Sequence, residues 1–180
     1  YLAGVAPDKR PKTDHADFRA AVEATTARTQ KFLSIKGKKT VDEFHRELGL
    51  LMWDLCGMAR SEKSLTRALS RIPTLRAEFW ENVNVPGSAD SLNVALEKAG
   101  RVDDFFQLGM LMCRDALDRQ ESCGAHFRSE YQTEDGEAKR DDENFCHVSA
   151  YAWTGDPMAA ELNKEKLVYE TAHLATRSYK

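Results

Sequence analysis

The chain has 180 residues, enough for one domain with a hydrophobic core, or for one domain plus an appendage. Its apolar share of 42% and charged share of 31% are typical of a soluble globular protein. The net charge of -3 gives no electrostatic case for a nucleic-acid partner, and the longest apolar run, 48–52, is far too short to span a bilayer. We therefore expect neither nucleic-acid binding nor direct membrane insertion.

Residues 1–13 contain two prolines and no regular pattern, so we expect an irregular lead-in. They lack an initiator Met and the basic start and apolar core of a secretory signal. The sequence therefore looks like a piece of a longer chain.

The four cysteines are widely spaced, which favours free thiols in a reducing compartment: Cys56, Cys113, Cys123 and Cys146.

Two amphipathic helices are predicted first. Asp14 is a candidate N-cap for a helix that ends near Leu33, with a face at Phe18, Val22, Thr25, Thr29 and Phe32. Thr40 and Glu43 then form a capping box. The second helix carries apolar residues at three- and four-residue steps, which predicts a packing seam: Val41, Phe44, Leu48, Leu51, Leu55 and Met58.

A third helix should begin after Ser61, and Pro73 should kink or divide it. The stretch 82–87 has the composition of a loop. A long fourth helix is predicted from about Asp90, with Gly124 as its left-handed C-cap. Its apolar face is Leu92, Leu96, Ala99, Val102, Phe106, Met110, Cys113 and Leu117.

After Gly124 the sequence becomes rich in charge and loses its helical period. A short strand is predicted at 145–153, a turn at 154–157 and a partner strand at 167–169. The fold class is therefore mainly α. An antiparallel bundle of three to four helices covers 14–124, and an irregular, charged tail with a short β-hairpin covers 125–180.

The segment Arg119–Arg128, which reads RQESCGAHFR, resembles a signature of the succinate dehydrogenase and fumarate reductase flavoproteins and of the related L-aspartate oxidases. In the commonest form of that signature an Arg stands at the position of Cys123. Further similar segments lie in the same order along the chain: Met52–Trp53, Gly57–Arg60, Arg67–Leu69, Arg140–Phe145 and Arg177–Tyr179. The Arg-Asp-Asp element at 140–142 fits the succinate/fumarate branch better than the aspartate oxidases.

The resemblance implies the C-terminal, spectrin-like helical region of a flavoprotein subunit that interconverts succinate and fumarate with FAD. It implies an iron-sulfur subunit as electron partner, a membrane quinone, and a complex lying peripherally on the cytoplasmic face of the inner membrane. In that family the flavin-binding and capping domains lie upstream. This chain has no G-x-G-x-x-G. We therefore expect no catalytic, FAD-binding or metal residues here, and an inactive fragment.

The resemblance also supplies candidate inter-domain contacts, which are Glu121, Ser122, His126, Arg128, Arg140, Asp141 and Asp142. The alternative for His126 and Arg128 is a local contact with Glu121 or Glu130. For 140–142 the alternative is a solvated charged loop.

Other chemistry is less consistent with the sequence. Cys113, Cys123, Cys146, His126 and His147 have no spacing typical of zinc ligands. A nucleophilic Cys123 would lie near the negative end of a helix, which disfavours a thiolate.

Two alternatives for the whole chain stay open: a stand-alone helical interaction module without a redox role, and the equivalent domain of an L-aspartate oxidase.

Overall fold

The computed structural model describes residues 4–175 and consists of a helical bundle with a β-hairpin at its C-terminal end, as predicted. Arg177–Tyr179 lie outside the described residues. The helices are α1 (Ala16–Ser34), α2 (Val41–Cys56), α3 (Glu62–Asn82), α4 (Val94–Asp118) and the one-turn α5 (Asp142–Phe145). The strands are β1 (Lys39–Thr40), β2 (Ala59–Arg60), β3 (Val83–Asn84), β4 (Phe127–Arg128), β5 (His147–Ala152) and β6 (Glu161–Lys166).

Side-chain caps define where the helices begin, because the first backbone N–H groups have no partner within the helix. Thr40 and Glu43 form the predicted capping box at α2, and Ser61 caps α3 together with Ser64. Two predicted starts are wrong. His15, not Asp14, caps α1, and Asn93 caps α4, so residues 90–92 lie before the helix.

The core lies between α2, α3 and α4, and aromatic rings fill its centre. Phe79 is fully buried, and its ring contacts those of Phe32, Phe44 and Phe106 at centroid distances of 6.0, 5.2 and 5.6 Å. Trp80 stacks on Phe32 at 4.6 Å. These contacts join side chains from all four long helices and therefore fix how the helices pack.

A buried carboxylate adds a polar tie to this core. Asp103 on α4 is 3% exposed and accepts hydrogen bonds from Arg28 of α1 at 2.8 Å, Arg76 of α3 at 3.1 Å and Trp80 of α3 at 2.9 Å. Because a buried charge is costly unless it is paired and hydrogen-bonded, these donors hold three helices in one arrangement.

Several details differ from the sequence expectation. Helix α3 continues through Pro73, so of the two predicted outcomes, a kink or a division, the division is wrong. Phe18 and Val22 of α1 are exposed, and Phe32 is the buried residue of that helix. Leu92 and Met58, both placed on apolar seams, are also exposed.

The strands are short and pair in twos. β1 pairs with β3, and β2 with β4, each in parallel. β5 forms an antiparallel hairpin with β6, from His147 opposite Lys166 to Ala152 opposite Glu161. The hairpin was predicted, but its second strand is 161–166 and not 167–169.

Gly124 has a φ of +59°, as a left-handed position requires, but it is not the cap of α4, whose C-cap is Arg119. It lies instead in the tight turn between Cys123 and His126.

Among residues 4–175, none of the helices combines the length and apolar character needed to cross a membrane.

Phe79→Ala should destabilise the 180-residue chain by about 3–5 kcal/mol, because it removes the ring on which the helices converge and leaves a cavity. Phe18→Ala is the matched control, since Phe18 is exposed on α1, and should change stability by less than about 0.5 kcal/mol. Urea unfolding followed by circular dichroism measures both. Equal losses in the two variants would contradict the packing described above.

Candidate functional site at the end of the fourth helix

The guanidinium of Arg128 lies inside the protein and faces the C-terminal end of α4. The residue is 1% exposed. Its Nη1 donates to the carbonyl oxygens of Ala116 at 2.8 Å and Leu117 at 3.1 Å. The last four carbonyls of a helix have no partner within the helix and form the negative end of its dipole. Arg128 therefore satisfies two of them with a positive charge.

Ser122 and Glu130 hold Arg128 in place. The Arg128 amide donates to Ser122 Oγ at 2.8 Å, and this hydroxyl donates back to the Arg128 carbonyl at 3.2 Å. Arg128 Nε lies 3.3 Å from Glu130 Oε2. Burial raises the pKa of Glu130, but hydrogen bonds from the Glu62 amide and Arg128 outweigh it, so the pKa lies below its usual value. Glu130 also caps α3 through Glu62, which links this segment to a second helix.

Glu121 connects the end of α4 to the tail. It is 2% exposed, and its two carboxylate oxygens accept hydrogen bonds from Arg119 Nη1 at 2.7 Å and from the Asp141 amide at 2.9 Å. Arg119 also donates to the carbonyls of Phe145 and His147, each at 3.0 Å. Arg119 is not among the seven candidate residues, although it opens the RQESCGAHFR motif.

His126 Nε2 lies 2.9 Å from the Arg119 carbonyl oxygen. Burial lowers the pKa of His126, and the positive charges of Arg60, Arg128 and Arg119 lower it further. The ring is therefore neutral near pH 7 and, when its proton is on Nε2, donates to the carbonyl that follows α4. Its contact is local, but the partner is a backbone oxygen and not Glu121 or Glu130.

Two sets of local contacts order the segment 140–142, which lies nearer the surface. Arg140 binds both carboxylate oxygens of Asp142 at 2.6 and 2.7 Å and donates to the Ala175 carbonyl at 2.9 Å. Asp141 caps α5 by accepting from the Asn144 amide and side chain, and these hydrogen bonds lower its pKa. The segment is therefore ordered by contacts within the chain, while the side chains of Arg140 and Asp142 remain partly exposed.

The seven candidate residues thus divide into two groups. The buried group, whose hydrogen bonds lie within this chain, is Glu121, Ser122 and Arg128. The group that keeps surface exposure is His126, Arg140, Asp141 and Asp142. Their inter-domain role stays a prediction.

This arrangement connects secondary-structure elements and does not converge on a reacting atom. Within residues 4–175, every buried side-chain nitrogen or oxygen has a hydrogen-bond partner. Over the same residues, no three His, Cys, Asp or Glu side chains are grouped as metal ligands would be. The hydrogen bonds of Glu121, Arg128 and Glu130 connect α3, α4 and the tail.

Comparison with known proteins places the chain in a family. Residues 45–179 match the family described as the fumarate reductase flavoprotein C-terminal region. The match contains α2 from its second turn, α3, α4, the whole motif and the hairpin.

Individual relatives agree with this match. The fumarate reductase flavoprotein subunit of Helicobacter pylori J99 is 29% identical over 153 residues, which cover 83% of this chain and 20% of that protein. The L-aspartate oxidase of Yersinia pestis is 34% identical over 88 residues, covering 47% of this chain and 15% of that protein. A solved quinol-fumarate reductase with menaquinol molecules shares the fold, with a TM-score of 0.73, 20% identity and coverage of 91% of this chain and 27% of that chain. The chain therefore spans about a fifth of the length of the fumarate reductase relative.

Arg128→Met should destabilise the 180-residue chain by about 3 kcal/mol, because charged hydrogen bonds to two buried carbonyls are lost. Arg140→Met is the matched control: it removes a more exposed ion pair and should cost less than about 1 kcal/mol. Arg128→Lys keeps the charge but loses the forked geometry, so its stability should lie between wild type and Arg128→Met. Urea unfolding curves give the three values. If Arg140→Met were the more damaging substitution, the assignment of Arg128 as the buried tie would fail.

Proposed function

Because the chain belongs to the fumarate reductase flavoprotein C-terminal family, we propose that the protein containing it interconverts succinate and fumarate. In this proposal FAD is bound by polypeptide upstream of residue 14 and supplies the hydride chemistry. Electrons pass to an iron-sulfur subunit and then to a quinone, and the subunit lies on the cytoplasmic face of the inner membrane. The match over residues 45–179, which includes the RQESCGAHFR motif, is the observation that carries the proposal.

The role proposed for the described residues is structural. A dinucleotide site of the common type uses free backbone N–H groups at a helix N-terminus that follows a glycine-rich loop. Here the N-termini of α2, α3 and α4 are capped by their own side chains, Thr40, Ser61 and Asn93. The residues present therefore do not fit FAD, and the catalytic groups belong to other parts of the enzyme.

The experiment compares the 180-residue chain with the full-length subunit expressed from its gene. The isolated chain should show circular dichroism of a helical protein, no flavin absorbance and no succinate-dependent dye reduction. The full-length subunit should contain flavin and reduce the dye with succinate. Flavin or turnover in the isolated chain would refute the assignment of flavin binding and catalysis to the upstream polypeptide. A full-length subunit without flavin would refute the proposal as a whole.

L-Aspartate oxidase is the second candidate, because a relative with that activity is 34% identical over 88 residues. The succinate/fumarate assignment is favoured by the longer alignment with fumarate reductase, 153 residues against 88, and by the Arg140–Asp142 element. Assaying the full-length subunit with L-aspartate as well as succinate separates the two. Oxidation of L-aspartate alone would favour the second candidate.

We also propose the surface that meets the upstream polypeptide. The outer sides of α2 and α4 expose a row of apolar side chains, here called the α2/α4 face: Trp53, Phe105, Leu108 and Met112. His45 of α2 lies 5.7 Å from the Phe105 ring and connects the two helices. Exposed apolar patches of this kind mark interaction surfaces. Since the Helicobacter pylori relative is about four times as long as this chain, the same polypeptide offers the most direct partner. The exposed motif residues His126, Arg140, Asp141 and Asp142 would add polar contacts.

Leu108→Asp tests this surface. Leu108 is 53% exposed, so the isolated chain should keep its urea midpoint, whereas the full-length subunit should lose stability and flavin because a charge is placed in an apolar interface. Leu50→Asp is the control: Leu50 is 59% exposed on the side of α2 that lies beside Arg67 and Arg71 of α3. Equal behaviour of the two full-length variants would show that the α2/α4 face is not the interface.

A further inference from the structure

The first part of α1 projects from the bundle. All residues from 16 to 27 are exposed. The hydrogen bonds that attach α1 to the bundle begin at Arg28, which donates to the Gly100 carbonyl at 3.1 Å and to the Asp103 carboxylate at 2.8 Å. Phe32 is the buried residue of the helix. Roughly the first three turns of α1 therefore lie beyond the contacts that hold its C-terminal half.

Local interactions alone give this projecting part little stability. Five of its twelve residues are alanines, which favour a helix. Its side-chain hydrogen bonds are local, as when Thr25 donates to the Ala21 carbonyl at 2.8 Å. Isolated helices of this length are only marginally stable in water. A surface that covers residues 16–27 would therefore stabilise them.

One side of α1 is a continuous stripe of which only one end is buried. This α1 stripe consists of residues at three- and four-residue steps: Phe18, Val22, Thr25, Thr29 and Phe32. At its C-terminal end the Phe32 ring stacks on Trp80 at a centroid distance of 4.6 Å. At its N-terminal end Phe18 is 46% exposed and Val22 is 65% exposed. Residues 4–175 thus leave two large apolar side chains of the stripe in solvent.

The stripe borders a cleft between α1 and α4. Thr25 and Thr29 line one side of this cleft, Leu96 and Gly100 line the other, and its volume is about 320 Å³. A cleft of this size has room for apolar side chains from another surface. The kind of partner that fits is therefore one that covers Phe18 and Val22 and inserts side chains beside them.

The chain enters α1 beside the same stripe. Thr13, which precedes the helix, lines a smaller cleft of about 210 Å³ together with Phe18 and Val22. Thirteen residues, the length of the segment 1–13, span at most about 45 Å even when fully extended. Polypeptide joined to that segment is therefore held within reach of the stripe at a high effective concentration.

We propose that the polypeptide upstream of residue 14 covers the exposed end of the α1 stripe with apolar side chains and thereby stabilises residues 16–27. The inference rests on the proposed function, which assigns flavin binding to that polypeptide. The Helicobacter pylori relative is about four times as long as this chain, which leaves ample sequence for such a contact. The α1 stripe is a second contact surface, in addition to the α2/α4 face.

Amide hydrogen exchange followed by peptide mass analysis measures this contact. In the 180-residue chain, residues 16–27 should exchange rapidly, whereas the segments around Phe79 and Phe106 should exchange slowly. In the full-length subunit, the exchange of residues 16–27 should be at least about tenfold slower, because the helix is covered. Equal exchange of residues 16–27 in the two proteins would overturn the inference.

Val22→Asp and Ala20→Asp form a matched pair in the full-length subunit. Both residues are exposed, and each substitution adds one carboxylate. Two residues of helix correspond to a rotation of about 200°, so Ala20 lies opposite Val22. Val22→Asp should return residues 16–27 to the exchange rate of the isolated chain, since a charge enters an apolar contact. Ala20→Asp should keep the protection, and equal exchange in the two variants would overturn the inference.

Val22→Ala adds no charge and keeps the test valid if Val22→Asp prevents folding of the full-length subunit. It should lose part of the protection of residues 16–27, because apolar contact area is removed. Flavin absorbance and circular dichroism report folding of each variant. Unchanged exchange in folded Val22→Ala and Val22→Asp would overturn the inference.

The result is separable from the test of the proposed function, because exchange is measured without reference to flavin or turnover. A subunit that contains flavin and reduces the dye, but leaves residues 16–27 unprotected, would overturn this inference alone. Protection that appears only when an iron-sulfur subunit is added would assign the stripe to that partner and would also overturn it. So would a concentration-dependent dimer of the 180-residue chain that protects residues 16–27 and is lost in Val22→Asp.

Discussion

The C-terminal end of α4 imposes the constraint on which the rest of this structure depends. Helix α4 packs against α1, α2 and α3, and at its end Arg128 donates to the Ala116 carbonyl in a buried hydrogen bond and to the Leu117 carbonyl in a partly buried one. Buried carbonyls need a donor, and water cannot supply it there. The chain therefore has to turn back after α4 so that Arg128 can reach them. The left-handed Gly124 and the Cys123–His126 bridge make this turn possible.

Local chemistry explains which parts of the fold the sequence could predict. The starts of α2 and α3 depend on caps only three residues away, so Thr40, Glu43 and Ser61 revealed them. At α4, Asp90 and Asn93 are both good caps, and the choice depends on Asn93 bonding to the loop carbonyls of Pro86 and Ser88. Strand β6 was missed because its residues are mostly exposed and polar and show no alternation.

The candidate site shows the same limit. The resemblance selected residues 119–128 because their order of polar residues is specific, and the family match over residues 45–179 includes them. It did not reveal that Arg128 is buried and Arg140 is not, since both are arginines within charged sequence. That difference depends on the position of the α4 carbonyls, which is a tertiary property. Phe18 and Val22 illustrate the converse: a helical period identifies an apolar face, but not whether this part of the chain covers it.

The distribution of polar groups also limits what this domain can offer a neighbour. Three charged side chains are buried, and each is already hydrogen-bonded within the protein: Asp103, Glu121 and Arg128. Using them in an interface would break bonds that stabilise the domain, at a cost of several kcal/mol for each buried charge left unpaired. In the proposed arrangement, the neighbour therefore contacts the exposed apolar α2/α4 face, and surface charges such as Arg140 set its orientation. The buried motif fixes the shape of the domain, and the exposed residues are left for contact.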